Sequence, residues 1–165
     1  MDNTDKNTLK EHSYEETKKI INDIIIELFK NILIIEEKSL KKRGIKNLSM
    51  TEIHAIEAIG VGGGKKMSQV AEELGISMGT LTATVTKLEK KGYTKRTRHV
   101  NDGRVVLASL TKRGELVFKI HKNFHDEMVD HLMIDLDLHE DMTLMNALKN
   151  INNFFLKEYG GSDED

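Results

Sequence analysis

The chain has 165 residues, 38% of them hydrophobic and 32% charged, which is enough to bury a core and too rich in apolar residues for a chain disordered throughout. There is no cysteine, so neither a disulfide nor a thiol takes part, and no apolar run approaches the length of a bilayer span or the form of a signal peptide. The net charge of −2 conceals a segregation: residues 61–113 carry eleven Lys/Arg against four Asp/Glu, +7, and the remainder 14 against 23, −9. A contiguous basic block between acidic flanks is the electrostatic footprint of a polyanionic partner. These features fit a cytoplasmic protein with no membrane partner.

Residues 1–12 are polar and read as frayed. From about Tyr14 to Leu40, Ile20, Ile24, Leu28, Ile32 and Ile35 recur at steps of three and four, with a second stripe of Ile21, Ile25, Phe29 and Leu33 beside them. An apolar face that wide needs more than one neighbour, and a second subunit would supply it. Lys41–Gly44 ends this helix. Ser49-Met-Thr-Glu52 is a capping box that opens a short helix to about Ile59, and Gly60 and Gly62–Gly64 end it in a loop.

Two short helices follow, about Met67–Leu74 and Met78–Lys91, with Gly75 between them, Ser77 as N-cap and Gly92 as the stop. Thr94–Arg98 and Arg104–Leu110 read as strands of a hairpin around His99-Val-Asn-Asp-Gly103. Thr111 caps a long helix to about Met133. Asp137-Leu-His-Glu140 reads as a capping box for a last helix through Leu144, Leu148, Ile151 and Phe155, before an acidic, glycine-containing tail that reads as disordered.

The pattern Val70, Ala71, Leu74, Gly75, Ile76, Leu81 and Val85 suits two helices crossing at a tight turn. Ala71 allows close backbone approach, Gly75 allows a positive φ, and the apolar residues share a core. Thr84 stands where such motifs often carry another apolar residue. The second helix shows small and hydroxylated residues with few acids, which fits a DNA major groove. Its candidate DNA contacts are Ser77, Gly79, Thr80, Thr82, Thr84 and Lys87. On the hairpin they are Lys95, Arg96, Arg98 and Arg104, with the Asp102 carboxylate set to fix the arginine's orientation and His99 near phosphate. The fold expected is mainly α with a small β-hairpin wing, a winged helix-turn-helix. The expected domains are a dimerisation helix at 1–47, the DNA-binding domain at 48–113, and C-terminal dimerisation helices with the tail at 114–165.

No nucleophile triad, phosphate loop or dinucleotide fingerprint is present, so an enzyme is not expected. Gly62-Gly63-Gly64-Lys65-Lys66 lacks the spacing and the preceding strand of a phosphate loop. A helical adaptor is the other competing class, and the cationic hairpin argues against it. His121 and His125 lie one helical turn apart, a spacing that lets both imidazoles hold one metal; otherwise they are hydrogen-bonded histidines at a helix junction or the lining of an effector cleft.

On the helix-turn-helix Met67–Lys91, Leu88-Glu-Lys-Lys-Gly-Tyr93, Asp102-Gly-Arg-Val-Val106 and Leu110-Thr-Lys-Arg-Gly114, the chain resembles the MarR family of winged helix-turn-helix regulators. The resemblance implies a homodimer built by the terminal helices, a recognition helix like 78–91 in the major groove, and a wing arginine like Arg104 at the minor groove of double-stranded DNA. The family's wing often carries a second arginine where this chain has Gly103. Asn31–Glu37, Met50–His54 and His121–His125 resemble the FabT group of fatty-acid-synthesis repressors, which implies a repressor with no required cofactor and with acyl-acyl carrier protein as corepressor. Zinc-responsive members of the family are similar at Glu36, His54, His121 and His125. They imply the alternative of a zinc-bound repressor of metal-uptake genes.

Overall fold

The computed structural model describes residues 13–100, 102–135 and 141–159. The chain divides into two compact units, residues 1–39 and residues 40–165. Its elements in order are α1 (Tyr14–Lys42), α2 (Met50–Ile59), β1 (Lys65–Lys66), α3 (Met67–Glu73), α4 (Met78–Lys90), β2 (Thr94–Arg98), β3 (Val106–Leu110), α5 (Lys112–Asp135) and α6 (Met142–Tyr159). The fold is mainly helical with a small antiparallel sheet, as the periodicities predict.

The first unit is the greater part of α1. Most of its two apolar stripes stays in solvent on a single chain, with Ile25 and Ile32 half-buried: Ile24 is 57% exposed and Phe29 60%. A helix of this length can hold its backbone hydrogen bonds alone, but so much apolar surface is a surface awaiting cover.

The second unit has a closed core. Ile53, Ile56, Val70, Leu81, Val85 and Leu88 are all essentially excluded from solvent, so α2, α3 and α4 meet in one apolar cluster joined by Tyr93, Ala108, Val117 and Phe124. Fully burying each such aliphatic side chain contributes roughly 1.5–3 kcal/mol. The capping box at Ser49 forms as predicted: Ser49 Oγ accepts from Glu52 N at 3.3 Å, and Glu52 Oε2 accepts from Ser49 N at 2.9 Å. Burial works to raise the Glu52 pKa, but hydrogen bonds from Lys91 Nζ (2.7 and 2.8 Å) and from Ser49 outweigh it, and the carboxyl lies below its ordinary range.

The turn between α3 and α4 depends on Gly75, whose φ of +61° is in the left-handed region, while Ile76 N donates back to Ala71 O at 3.0 Å. A second glycine matters for a different reason. A Cβ on Gly114 would lie 2.1 Å from the carbonyl oxygen of Tyr93. The start of α5 therefore packs directly on the backbone where β2 begins. Thr111 fastens the same junction, donating its hydroxyl to Gly92 O at 2.8 Å and accepting from Gly114 N at 3.3 Å.

The sheet has three strands, in the order β1-β3-β2, rather than the two of a simple hairpin. Lys65 pairs with Ala108 and Lys66 with Leu107, so the end of the glycine loop becomes an edge strand. Strand β2 has the predicted bounds. Strand β3 starts at Val106, two residues later than predicted, because Arg104 belongs to the turn. Asp102 Oδ1 accepts from Arg104 N at 3.0 Å, and Val105 N donates to Asp102 O at 3.0 Å.

The expected capping box at 137–140 lies outside the described residues. The first turn of α6 is capped by Asp141, whose Oδ1 accepts from Leu144 N at 2.9 Å. On α6, Leu148, Ile151, Phe154 and Leu156 are exposed. The leader 1–12 and the tail 160–165 also lie outside the described residues.

Candidate nucleic-acid interface

Helix α4 begins at Ser77, whose Oγ accepts from Thr80 N at 3.1 Å and lies 2.9 Å from Thr80 Oγ1. Leu81, Val85 and Leu88 lock its inner face into the core. Its other face carries Ser77, Gly79, Thr80, Thr82 and Lys87, all exposed as predicted. Thr84 departs from that expectation. It is buried, and its hydroxyl donates to Thr80 O at 3.0 Å. It occupies the position where the motif usually carries an apolar residue, and the backbone bond satisfies the hydroxyl that burial would otherwise leave unpaired. Thr84 is thus a core residue of the turn and not part of the outward face.

The wing supplies cations. Lys95, Arg98 and Arg104 are exposed, and among the described residues none has an acidic partner. Arg96 is different. Its Nε donates to Glu89 Oε2 at 2.8 Å, its Nη2 lies 2.6 Å from the same oxygen, and its backbone N donates to Glu89 Oε1. A half-buried arginine clamped in this way positions β2 against the end of α4; its charge is used inside the protein. Asp102 also acts otherwise than expected: its carboxylate receives the backbone amide of Arg104, so it shapes the turn from which that side chain projects.

One contributor was not singled out from sequence. Lys66, Met67 and Ser68 line a shallow notch of about 300 Å³ with Met78, Arg104, Val105 and Val106. Lys66 is exposed there, on the edge strand beside Arg104. The only advance signal was its membership of the basic block. Lys65 next to it turns away, donating to Ala58 O and pairing with Glu73 at 2.7 Å. Lys87 lines a separate open notch of about 390 Å³ with Ser49, Thr51, Glu52, Thr84 and Lys91.

The arrangement is a small-residue helix face held rigidly beside a strand turn with unpaired cations. The MarR family matches residues 48–106, the segment that contains all of it. The regulator SarZ of Staphylococcus saprophyticus is 30% identical over 107 residues, covering 65% of this chain and 72% of that protein. The protein belongs to the MarR family. Among solved structures, FabT of Streptococcus pneumoniae in complex with DNA superposes with a TM-score of 0.70 at 34% identity, over 84% of this chain and 94% of that one. BldR of Sulfolobus solfataricus shares the fold with a TM-score of 0.60 at 22% identity, over 86% and 99%. This MarR-family protein is a DNA-binding transcriptional regulator, and its relatives are regulators, not enzymes. No helix among the described residues is long and apolar enough to cross a membrane.

The histidine set is partly assembled within the second unit. His121 is buried on α5, and its Nε2 lies 3.2 Å from His125 Nε2. The His54 ring on α2 is centred 5.7 Å from that of His121, and Glu57 Oε2 is 3.5 Å from His121 Nδ1. Glu36 is a buried residue of α1 in the first unit.

Proposed function

We propose that this regulator is a cytoplasmic repressor that binds a near-palindromic operator as a homodimer and controls fatty-acid-synthesis genes, with acyl-acyl carrier protein as corepressor. The observation that carries the DNA reading is the juxtaposition of the outward face of α4 with unpaired Arg98 and Arg104. Ser77, Gly79, Thr80, Thr82 and Lys87 meet the major groove, Arg104 and Arg98 meet the minor groove and backbone, and Lys95 meets phosphate. The exposed apolar faces of α1 and α6 support dimerisation through residues 1–47 and 114–165. A two-fold pair would then place two recognition helices ~34 Å apart on one side of the duplex. The FabT likeness favours the fatty-acid target, as do the segments 31–37, 50–54 and 121–125.

Selection of bound sites from random DNA, followed by titration with acylated and unacylated acyl carrier protein, tests this reading. The expected results are a near-palindrome and a rise in affinity with the acylated form alone. A selected site without symmetry, or indifference to acylation, would refute the corresponding part.

A second reading is a zinc-responsive repressor of metal-uptake genes. It is favoured by the 3.2 Å between the His121 and His125 nitrogens. Two nitrogens bound to one tetrahedral zinc at ~2.0–2.1 Å would lie about 3.3 Å apart. His54, His121 and His125 of the second unit would hold the ion. Zinc titration of the wild type and of His121→Ala, read by operator affinity, separates the two readings; equal weak binding by both proteins removes the metal.

A further inference from the structure

Between residues 77 and 87 the chain has no Arg, Asn, Gln, Asp or Glu. The side chains that read adenine bidentately or accept from cytosine are therefore missing from residues 77–87, Lys87 at the end of that stretch is its one candidate for guanine, and Glu89 beyond it is held by Arg96. Most of the hydroxyls are engaged within the protein. Ser77 and Thr80 are hydrogen-bonded to each other through their hydroxyls, Thr84 donates to Thr80 O, and Thr86 donates to Thr82 O at 2.7 Å. What α4 presents in quantity is methyl groups. Thr82 and Ala83 are exposed and Thr86 is half-exposed; with Gly79 they fall on one stripe at steps of three and four, and the Met78 thioether lies at its N-terminal end. Gly79 adds no Cβ of its own, so the stripe can approach closely.

We infer that α4 reads thymine 5-methyl groups in the major groove, so that each half-site has a thymine-rich centre recognised by apolar contact from Thr82, Ala83 and Thr86. This rests on the DNA-binding reading above and narrows it to a class of base sequence. Thymine is the one base that carries a methyl on its major-groove edge, and threonine methyls and alanine are suited to it.

The test compares a selected operator made with thymine against the same duplex made with uracil, which lacks only the 5-methyl group. Each buried methyl contact is worth about fourfold in affinity (~0.8 kcal/mol). Two threonine contacts in each of two half-sites then predict roughly a two-hundredfold preference for the thymine duplex. The double variant Thr82→Ser/Thr86→Ser keeps both hydroxyls and should lose most of that preference. Thr82→Val/Thr86→Val keeps the methyls and should retain it. Equal binding of the two duplexes by the wild type would overturn the inference, as would an undiminished preference in the serine variant. Either result leaves the regulator reading intact. Failure to select any DNA would overturn both.

Discussion

The winged lobe and the two outer helices use the same kind of amphipathic sequence to different ends. In α2, α3 and α4 the apolar stripes meet within the chain, and Leu81 and Val85 are fully buried. In α1 and α6 equally apolar stripes face solvent, with Phe29 60% and Leu156 62% exposed. The lobe has what it needs to fold around its own core. The outer faces leave their apolar surface uncovered on a single chain, which is why the proposal gives dimerisation to them and DNA reading to the lobe. Chain length alone would not separate the two. The contrast lies in where each stripe finds a partner.

The comparison breaks most severely at the lobe's tightest point. Gly114→Val should cost the lobe several kcal/mol (~3 or more, as for strong overpacking), because its side chain has no space beside the Tyr93 carbonyl. Urea denaturation should show loss of cooperative folding, and a wild-type midpoint would refute the close approach. Next in size, Phe29→Asp on α1 should weaken dimerisation by roughly a hundredfold (~3 kcal/mol, a typical hot-spot cost). The lobe should stay folded by circular dichroism, and sedimentation should show monomer. If the lobe melts with the dimer, the division between the two regions is wrong.

A smaller effect sharpens the reading surface. Arg104→Ala should reduce operator affinity about tenfold and lower the salt dependence by about one phosphate-equivalent. Arg96→Ala should instead cost about 1 kcal/mol of stability, as for a partly exposed ion pair with added hydrogen bonds, and leave the salt slope unchanged. Interchanged behaviour would mean that the roles of these two arginines are reversed.

The smallest effect is the acid limb. The Glu52 pKa is lowered in the folded protein, so its contribution is present above the ordinary carboxylate pKa and is lost as pH falls through the lower folded value. Glu52→Gln should flatten the fall in stability below about pH 4.3, the unfolded reference. An unchanged acid limb would remove Glu52 from that account.

Much of this was legible in the sequence, because long periodic helices, Ser caps and a turn glycine each leave a local signature. The bounds of α2 and β2, the Ser49 capping box and the outward placement of Thr80 and Thr82 are of this kind. The misses have nonlocal causes. Strand β1 is two residues long, with no period to detect, and exists because β3 offers it an edge. Thr84 resembles its outward neighbours in chemistry but faces the core, which its position in the motif foretold better than its polarity. Arg96 is a wing cation by composition, yet Glu89, seven residues earlier, takes it. Gly114 appeared as part of a family motif, and only the approach of the Tyr93 carbonyl explains it.

The most direct measurement is a stoichiometric titration of a selected operator duplex, followed by fluorescence anisotropy across a range of salt. Two chains should bind per duplex, with affinity falling steeply and linearly as log salt rises. Saturation at one chain per duplex, or an affinity indifferent to salt, would contradict a paired reading head built from the threonine face of α4 and the cationic wing.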